Sequence, residues 1–242
     1  MNSRDTHAEG PDLAALAGLL ADSTRAGFCL ALLDGRAWTA AELARHAGVA
    51  ASTATEHLNR LVAGGLLTQE RQGRHRYVRL ADAATAELIE NLAAMAPPRT
   101  EPPRSLPGVN RSRALARART CYDHLAGALG VEITRAMTHR GLLDWERGLT
   151  LTGDGIAWLD ELGITLPPGR RPPVRSCLDW TERRPHLAGT AGAALCAHGF
   201  GSGWFTRIGT SRAVALTGTG RTALRDHLGL SGEAFVNGPR SR

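Results

Sequence analysis

Apolar positions recur at helical spacing on both sides of a glycine between residues 39 and 62. Thr39 and Glu42 have the spacing of a capping box, in which each side chain accepts from the backbone N–H of the other residue, so a helix is predicted to begin here. Gly48 can adopt the left-handed conformation that ends a helix. An apolar stripe then continues into a second helix through Val49, Leu58, Leu61 and Val62. The pattern predicts two helices joined by a tight turn.

The second of these helices carries a polar face opposite its apolar stripe. Short hydroxyls and longer hydrogen-bonding groups suit phosphates and base edges in a major groove. The face consists of Ser52, Thr53, Thr55, Glu56, His57 and Arg60. Ala50 occupies the position where a capping hydroxyl is expected, and Thr53 with Glu56 could instead cap the helix one turn later. We predict that this is a DNA recognition helix.

A basic hairpin is predicted after the second helix. Gly64 and Gly65 end the helix, and residues 66–71 and 77–80 have the pattern of two strands around a loop at 72–76. Such a hairpin is placed to touch the phosphate backbone or the minor groove, and the alternative is a solvated edge hairpin. The residues predicted to contact DNA are Arg71, Arg74, His75 and Arg76. The full order of elements describes a winged helix-turn-helix.

Two stretches within residues 11–96 resemble the ArsR/SmtB-type family of bacterial transcriptional regulators. Residues 13–25 (LAALAGLLADSTR) resemble the family's L-x-D-x-x-R helix junction, and residues 52–66 (STATEHLNRLVAGGL) resemble its S-x-x-S-x-H-L-x-x-L-x-x-A-G-L helix. The resemblance implies a homodimeric repressor whose two recognition helices enter successive major grooves of an inverted-repeat operator, roughly 34 Å apart. It also implies that residues 11–20 and 82–96 supply the dimer helices.

The cysteine pattern departs from that of metal-sensing members of this family. Such members often carry Cys-x-Cys in the helix before the turn, whereas residues 38–44 contain no cysteine. Cys29 is the only cysteine in the DNA-binding half, and its neighbours Phe28 and Leu30 predict an ordinary core position. An arsenic-type site is therefore not expected in this half.

Length and charge indicate a second module. The chain has 242 residues, which exceeds one winged-helix domain, so a second core is expected. The net charge of +6, from 29 basic and 23 acidic residues, suits nucleic acid. The first ten residues are polar, and no apolar run is long enough to cross a bilayer. We expect a cytoplasmic protein without a membrane partner, whose four cysteines are free, metal-bound or redox-active.

Proline clusters and an internal repeat divide the rest of the chain. Prolines favour extended linkers over packed elements. His-Leu-Ala-Gly occurs at 124–127 and 186–189, and Thr-Gly-x-Gly occurs at 152–155 and 217–220. The predicted organisation is a flexible tail at 1–10, a winged helix-turn-helix at 11–96, a linker at 97–110, repeat 1 at 111–166, a connector at 167–175, repeat 2 at 176–232 and a flexible tail at 233–242.

Each repeat is predicted to contain a helix with His-Leu-Ala-Gly, a strand pair, and a helix opened by Thr-Gly-x-Gly. That order outlines a degenerate winged-helix unit, although neither repeat has a convincing polar recognition helix. The predicted fold class is therefore mainly α with small β-hairpin wings (α+β). It comprises an N-terminal winged helix-turn-helix and two degenerate winged-helix-like repeats.

Thiols, imidazoles and carboxylates lie where the two repeats begin. Two thiolates with two imidazoles could bind Zn²⁺ or another transition metal tetrahedrally, and Cys-x-x-His is compatible with chelation from one helical segment. The predicted ligands are Cys121, His124, Cys177 and His186. In the alternative interpretation these residues are structural, and Asp123 and Asp179 begin helices or pair with arginines.

Two other kinds of sensor could use the same region. Cys121 and Cys177 could form a disulfide on oxidation. An organic effector could bind at the repeat interface, where most aromatic residues lie. The predicted pocket consists of Tyr122, Trp145, Trp158, Trp180 and Trp204. The arginine run at 111–119 could touch DNA phosphates or form a solvated helix face.

The sequence therefore predicts a homodimeric, sequence-specific DNA-binding regulator. It would be a repressor that binds an inverted repeat in double-stranded DNA and is released by an unknown effector or redox signal sensed in the C-terminal half. One alternative is a regulator with a purely structural C-terminal half, and another is a Cys/His-dependent hydrolytic enzyme. Because the chain contains no nucleophile elbow, phosphate loop or dinucleotide fingerprint, we expect no enzymatic activity.

Overall fold

A computed structural model describes residues 10–73, 75–97, 106–146, 148–209 and 211–230, and leaves aside the side chains of 106–108. The chain divides into two compact units. The first comprises Met1–Leu32 and Arg36–Ala86, and the second comprises Leu33–Gly35 and Glu87–Arg242. The tails predicted at 1–10 and 233–242 lie outside the described residues except for Gly10.

The first unit contains the predicted helix-turn-helix. Its helices are α1 (Leu13–Leu20), α2 (Ser23–Leu32), α3 (Ala40–Ala47) and α4 (Ala51–Ala63). The capping box of α3 is confirmed, because Thr39 Oγ1 accepts from the Glu42 N–H at 3.3 Å and the Thr39 N–H donates to Glu42 Oε2 at 2.7 Å. Gly48 ends α3 at a φ of 69°, as predicted. Among the described residues no single helix is long and apolar enough to cross a membrane, while α1 and α2, bent by 85°, reach that length and composition only as a pair.

A three-stranded antiparallel sheet completes the winged helix. It is built from β1 (Trp38–Thr39), β2 (Leu67–Gln72) and β3 (His75–Leu80), in the order β1-β3-β2. Gln72 pairs with His75, so the loop predicted at 72–76 is wrong and the strands extend almost to the turn. Trp38 pairs with Val78. The sequence did not predict β1, because two residues are too few to show an alternating pattern.

The core of the first unit lies between its helices. Leu58 and Leu61 of the predicted stripe are fully buried, whereas Val62 at its edge is only half-buried. Cys29 is also fully buried beside Phe28, and burial raises the pKa of its thiol to about 12. It therefore behaves as an apolar core residue, as predicted.

Helix α5 (Ala83–Met95) begins in the first unit and continues into the second. Helix α6 (Leu106–Arg117) begins inside the segment 97–110, which the sequence assigned to a linker. Proline is tolerated in the first turn of a helix, so Pro107 does not prevent α6 from starting there. Residues 98–105 of that segment lie outside the described part of the chain.

The two repeats have the same order of elements, which is hairpin, helix, hairpin, helix. Repeat 1 contains β4 (Arg119–Cys121), β5 (His124–Ala126), α7 (Gly127–His139), β6 (Leu143–Asp144), β7 (Thr150–Leu151) and α8 (Gly153–Glu161). Repeat 2 contains β8 (Arg175–Leu178), β9 (Pro185–Ala188), α9 (Gly189–Gly201), β10 (Phe205–Arg207), β11 (Val214–Leu216) and α10 (Gly218–Leu228). The strand pairs are antiparallel hairpins.

The structure corrects the prediction that His-Leu-Ala-Gly lies within a helix. In both repeats His-Leu-Ala forms a strand, and the glycine begins the helix that follows. The glycines Gly127 and Gly189 adopt φ values of 79° and 84°. A Cβ at either position would lie 2.8 Å from a backbone carbonyl oxygen, that of Ala116 or Pro173. These sharp turns, which require glycine, separate strand from helix.

Both repeats belong to one unit and share one hydrophobic core. Its buried members include Leu129, Ile133, Trp158, Leu195 and Trp204. The two repeats, which the sequence predicted as two subdomains packed together, therefore form a single body in the described part of the chain.

Candidate DNA-binding surface and cysteine–histidine cluster

The polar face of α4 lies on the surface of the first unit, with one exception. Ser52, Thr53, Thr55, Glu56 and Arg60 are exposed. Three of these side chains are already engaged within the helix, because Thr55 Oγ1 donates to the Ala51 carbonyl at 2.9 Å and Arg60 pairs with Glu56 at 2.6 Å. Exposed ion pairs of this kind are weak, so a phosphate can compete for Arg60.

His57 is the exception, because its side chain is only 16% exposed. Its Nδ1 lies 3.4 Å from Arg25 Nη1 and 3.7 Å from Asp22 Oδ1. The outward projection predicted for His57 is therefore wrong. It follows the buried Ala54 by three positions and precedes the buried Leu58, which places it at the edge of the buried stripe.

The structure also shows where α4 begins. The helix begins at Ala51 with Ala50 as N-cap, and no side chain forms a cap hydrogen bond there. The alternative cap by Thr53 and Glu56 is wrong, because both residues lie inside the helix. The first backbone N–H groups of α4 thus have no side-chain partner. Uncapped N–H groups at the start of a helix commonly bind phosphate.

The hairpin of β2 and β3 forms the wing. Arg71 and His75 are exposed, and Arg76 is half-buried with its Nη1 donating to Asn59 Oδ1 of α4 at 2.8 Å. This hydrogen bond joins the wing to α4. Arg74 lies outside the described residues.

The four cysteine and histidine residues at the starts of the repeats meet in the second unit. Cys121 is the strand partner of His124 across the β4–β5 hairpin, and Cys177 is the strand partner of His186 across β8–β9. All four are buried, and their sulfur and nitrogen atoms lie within 4.8 Å of one another. The two Nε2 atoms are 3.1 Å apart. Two hairpins, and not one helical segment, thus bring the four side chains together.

Glycines in α7 and α9 allow the hairpins to approach so closely. Gly130 packs against Leu125, where a Cβ would lie 2.4 Å from the carbonyl oxygen, and Gly192 packs against Leu187, at 2.6 Å. Each glycine also faces the histidine of the other repeat. A Cβ at Gly192 would lie 3.4 Å from the His124 Cβ. The sequence signal for this approach is the repeated His-Leu-Ala-Gly-x-x-Gly, whose last glycine is Gly130 or Gly192.

Charged groups surround this cluster. His124 Nδ1 lies 3.2 Å from Asp123 Oδ1, and Arg171 binds the same carboxylate through two nitrogens. Cys177 Sγ lies 3.6 Å from Oε2 of the buried Glu90. One cluster member of each hairpin, His124 or Cys177, therefore has a polar neighbour outside the cluster.

The pKa values of the two thiols shift in opposite directions, and so do those of the two imidazoles. Burial raises the pKa of Cys121 above its usual range, whereas the hydrogen bond from Cys121 lowers the pKa of Cys177 far below it. Burial lowers the pKa of His186. Burial acts in the same sense on His124, but its hydrogen bonds to Asp123 and Cys177 outweigh it and raise its pKa to about 9. Cys177 is therefore the more acidic of the two thiols, and His124 is the more basic of the two imidazoles.

A buried ion pair supports the two hairpins. Arg119 of β4 donates to Asp179 Oδ2 at 2.8 Å, and both side chains are fully buried. The Gly127 N–H donates to the same oxygen at 2.7 Å. Burial opposes the charged form of Asp179, yet Arg119 and these hydrogen bonds hold the pKa of its carboxyl well below the usual range. Asp179 thus ties repeat 2 to the start of α7.

The predicted aromatic pocket is not assembled. A cavity in the shared core is lined by Trp204 but by none of the other four aromatic residues. Trp180 lies over the Arg119 guanidinium at 4.6 Å, and Trp145 Nε1 donates to Thr138 Oγ1 at 3.0 Å. Trp158 is buried in the core, and Tyr122 occupies the β4–β5 turn at a φ of 61°. Trp158 and Trp204 thus belong to the shared core, whereas Tyr122, Trp145 and Trp180 have other contacts.

Two sequence comparisons both match this chain to helix-turn-helix proteins. Residues 20–70 match the HTH_20 family, described as "Helix-turn-helix domain". The chain is 38% identical over 222 residues to the uncharacterized HTH-type transcriptional regulator YdfF of Bacillus subtilis (strain 168), which covers 90% of this chain and 97% of YdfF.

Solved structures similar to this chain include two mycobacterial proteins. The cadmium metal-sensor CMTR from Mycobacterium tuberculosis is 32% identical and covers 39% of this chain and 99% of its own, with a TM-score of 0.30. The homodimeric winged helix-turn-helix DNA-binding domain of Mb0332 from Mycobacterium bovis is 26% identical and covers 36% of this chain and 88% of its own, with a TM-score of 0.32. On its likeness to YdfF, this chain belongs to the family of HTH-type transcriptional regulators, and its N-terminal sequence motifs resemble those of the ArsR type.

Proposed function

We propose that the protein is a homodimeric, sequence-specific repressor that binds an inverted-repeat operator and releases it in response to a signal sensed in the C-terminal half. The observation that carries the DNA-binding part is the exposed polar face of α4 beside the basic wing. In this arrangement α4 enters the major groove and reads base edges, while the wing contacts phosphates. Ser52, Thr53 and Arg60 contact DNA from the helix, and Arg71, Arg74, His75 and Arg76 contact it from the wing.

The proposed dimer uses the helices at 11–20 and 82–96. Exposed apolar side chains on both helices support this assignment. Leu13 of α1 is 72% exposed and Met95 of α5 is 80% exposed. Large apolar side chains exposed to this degree mark surfaces that bind other proteins when they form a patch.

The proposed sensor is the cysteine–histidine cluster, whose donors suit zinc or another transition metal. A signal that favours the non-binding form by about 2.7 kcal/mol reduces DNA affinity a hundredfold. A small buried site is therefore sufficient for regulation. We propose that the protein is not an enzyme, since its polar clusters are buried and the described cavity is lined mainly by apolar side chains.

The test is to select an operator from random double-stranded DNA and measure binding by fluorescence anisotropy over a range of salt concentrations. We expect Arg71→Ala to weaken binding to all sequences and to reduce the salt slope by about one. Thr53→Ala should change the preferred operator sequence. The matched control is Arg225→Ala, which removes the same charge from an exposed position of α10 outside the winged-helix unit.

Three outcomes would contradict the proposal. One is the selection of no preferred sequence by the wild-type protein. Another is wild-type binding by both the Arg71 and Thr53 variants. The third is an equal loss of affinity in the Arg225 control, which would show that net charge, and not the winged-helix surface, holds the DNA.

A further inference from the structure

We propose that Cys121, His124, Cys177 and His186 bind one thiophilic divalent metal ion, of the zinc type, in a closed tetrahedral site that joins the two hairpins. This inference deepens the proposed function, because it names the ligand of the sensor cluster. It rests on that function for its regulatory role only, since binding of the ion itself does not require that the protein bind DNA.

The spacing of the donor atoms fits such an ion. Tetrahedral zinc has Zn–N distances of about 2.0–2.1 Å and Zn–S distances of about 2.3 Å, which correspond to about 3.3 Å between two nitrogens and about 3.8 Å between two sulfurs. The two Nε2 atoms lie 3.1 Å apart, and all four donor atoms lie within 4.8 Å of one another. An ion at their centre therefore requires only small side-chain shifts.

The donor types select the ion. Thiolates and imidazoles suit Zn²⁺ and similar soft or borderline ions, whereas Mg²⁺ and Ca²⁺ prefer oxygen ligands. Two thiolates also neutralise a divalent charge, which reduces the cost of burying the ion. Both cysteines are nearly inaccessible, at 3% for Cys121 and 2% for Cys177. A neutral complex is the form in which a metal ion is most easily held at this depth.

Pairing across the hairpins gives the site its rigidity. Each cysteine is the direct strand partner of a histidine, so backbone hydrogen bonds fix both ligands of a hairpin. The glycines of α7 and α9 then allow the two pairs to face each other, because a larger side chain at Gly192 would press on His124. The ion would thus hold repeat 1 against repeat 2.

Asp123 is a positioning residue in this site. Metal-bound histidines commonly donate their other ring N–H to a carboxylate, which fixes the ring and its tautomer. Asp123 Oδ1 lies 3.2 Å from His124 Nδ1, which leaves His124 Nε2 directed at the cluster. Arg171 holds the carboxylate in place. In contrast, His186 Nδ1 is buried and has no hydrogen-bond partner among the described residues.

Four protein ligands complete a tetrahedron and leave no open position. Catalytic zinc sites keep one position for water or substrate, whereas structural sites are closed. Glu90 is next to Cys177 but is not among the four residues whose donor atoms converge. The closed geometry therefore indicates a site that stabilises one arrangement of the hairpins, and not a hydrolytic centre.

The experiment uses the full chain. Protein purified without chelator is analysed for metal content, and protein stripped of metal is titrated with Co²⁺, whose visible absorption reports tetrahedral geometry and thiolate ligation. We expect about one zinc per chain and a tetrahedral, thiolate-ligated Co²⁺ spectrum that saturates at one equivalent. Cys121→Ser and Cys177→Ser should lose the sulfur-to-cobalt band or bind no Co²⁺. Cys196→Ser, which changes another buried cysteine of the same unit, should bind as the wild type does.

The wild-type spectrum decides the question even if a cysteine variant does not fold. Absence of a thiolate-ligated Co²⁺ spectrum in the wild-type protein would overturn the proposal. An unchanged spectrum in folded Cys121→Ser or Cys177→Ser would also overturn it. Loss of binding in Cys196→Ser alone would place the ion elsewhere.

The positioning role of Asp123 has a separate readout. Asp123→Asn should weaken zinc affinity by about 10- to 100-fold while leaving the Co²⁺ spectrum unchanged, because the four ligands remain. Unchanged affinity would overturn that role. DNA binding measured on the same samples keeps the two proposals apart. A protein that binds metal but no operator contradicts the proposed function, whereas a protein that binds an operator but takes up neither zinc nor Co²⁺ contradicts the metal site.

Discussion

The two hairpins that start the repeats each pair a cysteine with a histidine, but their loops differ in length. In the β4–β5 hairpin two residues, Tyr122 and Asp123, separate the cysteine from its histidine, whereas eight residues separate Cys177 from His186 in β8–β9. Both loops nevertheless place cysteine opposite histidine. Antiparallel register, and not sequence spacing, therefore determines which side chains meet.

The loops differ in what their aspartates do. Asp123 is partly exposed and contacts His124, the ligand next to it. Asp179 is fully buried and accepts from Arg119 of the other hairpin. Its Oδ1 also accepts from Thr181 Oγ1 at 2.6 Å and from the Thr181 N–H at 2.8 Å, which orders the longer loop. Asp123 thus contacts the cysteine–histidine cluster, whereas Asp179 stabilises the fold.

The largest expected effect is a difference in stability between variants of these two aspartates. Asp179→Ala leaves the Arg119 guanidinium buried without its partner, which should reduce the free energy of unfolding by about 3–5 kcal/mol. Asp123→Ala breaks a partly exposed pair with Arg171 and should cost about 1 kcal/mol or less. Urea denaturation of both variants, in the presence of chelator, measures the difference. Equal losses would show that the two carboxylates have the same role.

The next effect tests whether the two repeats pack in the same way. Gly130→Ala and Gly192→Ala should each destabilise the metal-free protein by about 1–3 kcal/mol, because the new Cβ would overlap a carbonyl oxygen of the preceding strand. Gly201→Ala, at the end of α9, is the control. A Cβ there meets no atom within 4 Å, so we expect a gain of about 0.4–1 kcal/mol. Thermal unfolding distinguishes these results, and a harmless Gly130→Ala would contradict the equivalence of the repeats.

The smallest effect concerns the second half of each repeat. Thr152 caps α8 and Thr217 caps α10, each with its Oγ1 accepting from a backbone N–H at 3.0 Å and donating to a carbonyl at 2.7 Å. Thr152→Ala and Thr217→Ala should each cost about 1 kcal/mol. The serine variants keep the hydroxyl and should be close to wild type. Unequal losses in urea denaturation would show that the caps, like the loops, have diverged.

Signals within a few residues determined the winged helix. The capping box at Thr39 and Glu42, the left-handed Gly48 and the apolar positions Leu58 and Leu61 each act over one or two turns. Such interactions are nearly complete within the segment itself, so the sequence alone predicts them. The same holds for α8 and α10, whose starts were predicted from the Thr-Gly-x-Gly pattern.

Segments without a local period were assigned incorrectly. His124-Leu-Ala and His186-Leu-Ala are too short to show an alternation, and small apolar residues are equally compatible with a helix. Their strand structure depends on pairing across a hairpin and on the glycine turn that follows. The outward projection predicted for His57 was likewise wrong, because its contacts with Asp22 and Arg25 join residues far apart in the sequence.

The sequence by itself determined the helix-turn-helix, the wing and the existence of two repeats with a cysteine and a histidine each. Only the tertiary structure decided that the four side chains meet, that Trp204 alone of the five aromatic residues lines the described cavity, and that Asp179 is buried against Arg119. The physical reason is the distance along the sequence over which the interactions act. Caps, turns and helical periods act between neighbours, whereas Cys121 and Cys177 are brought together by a core that forms only when both repeats pack against each other.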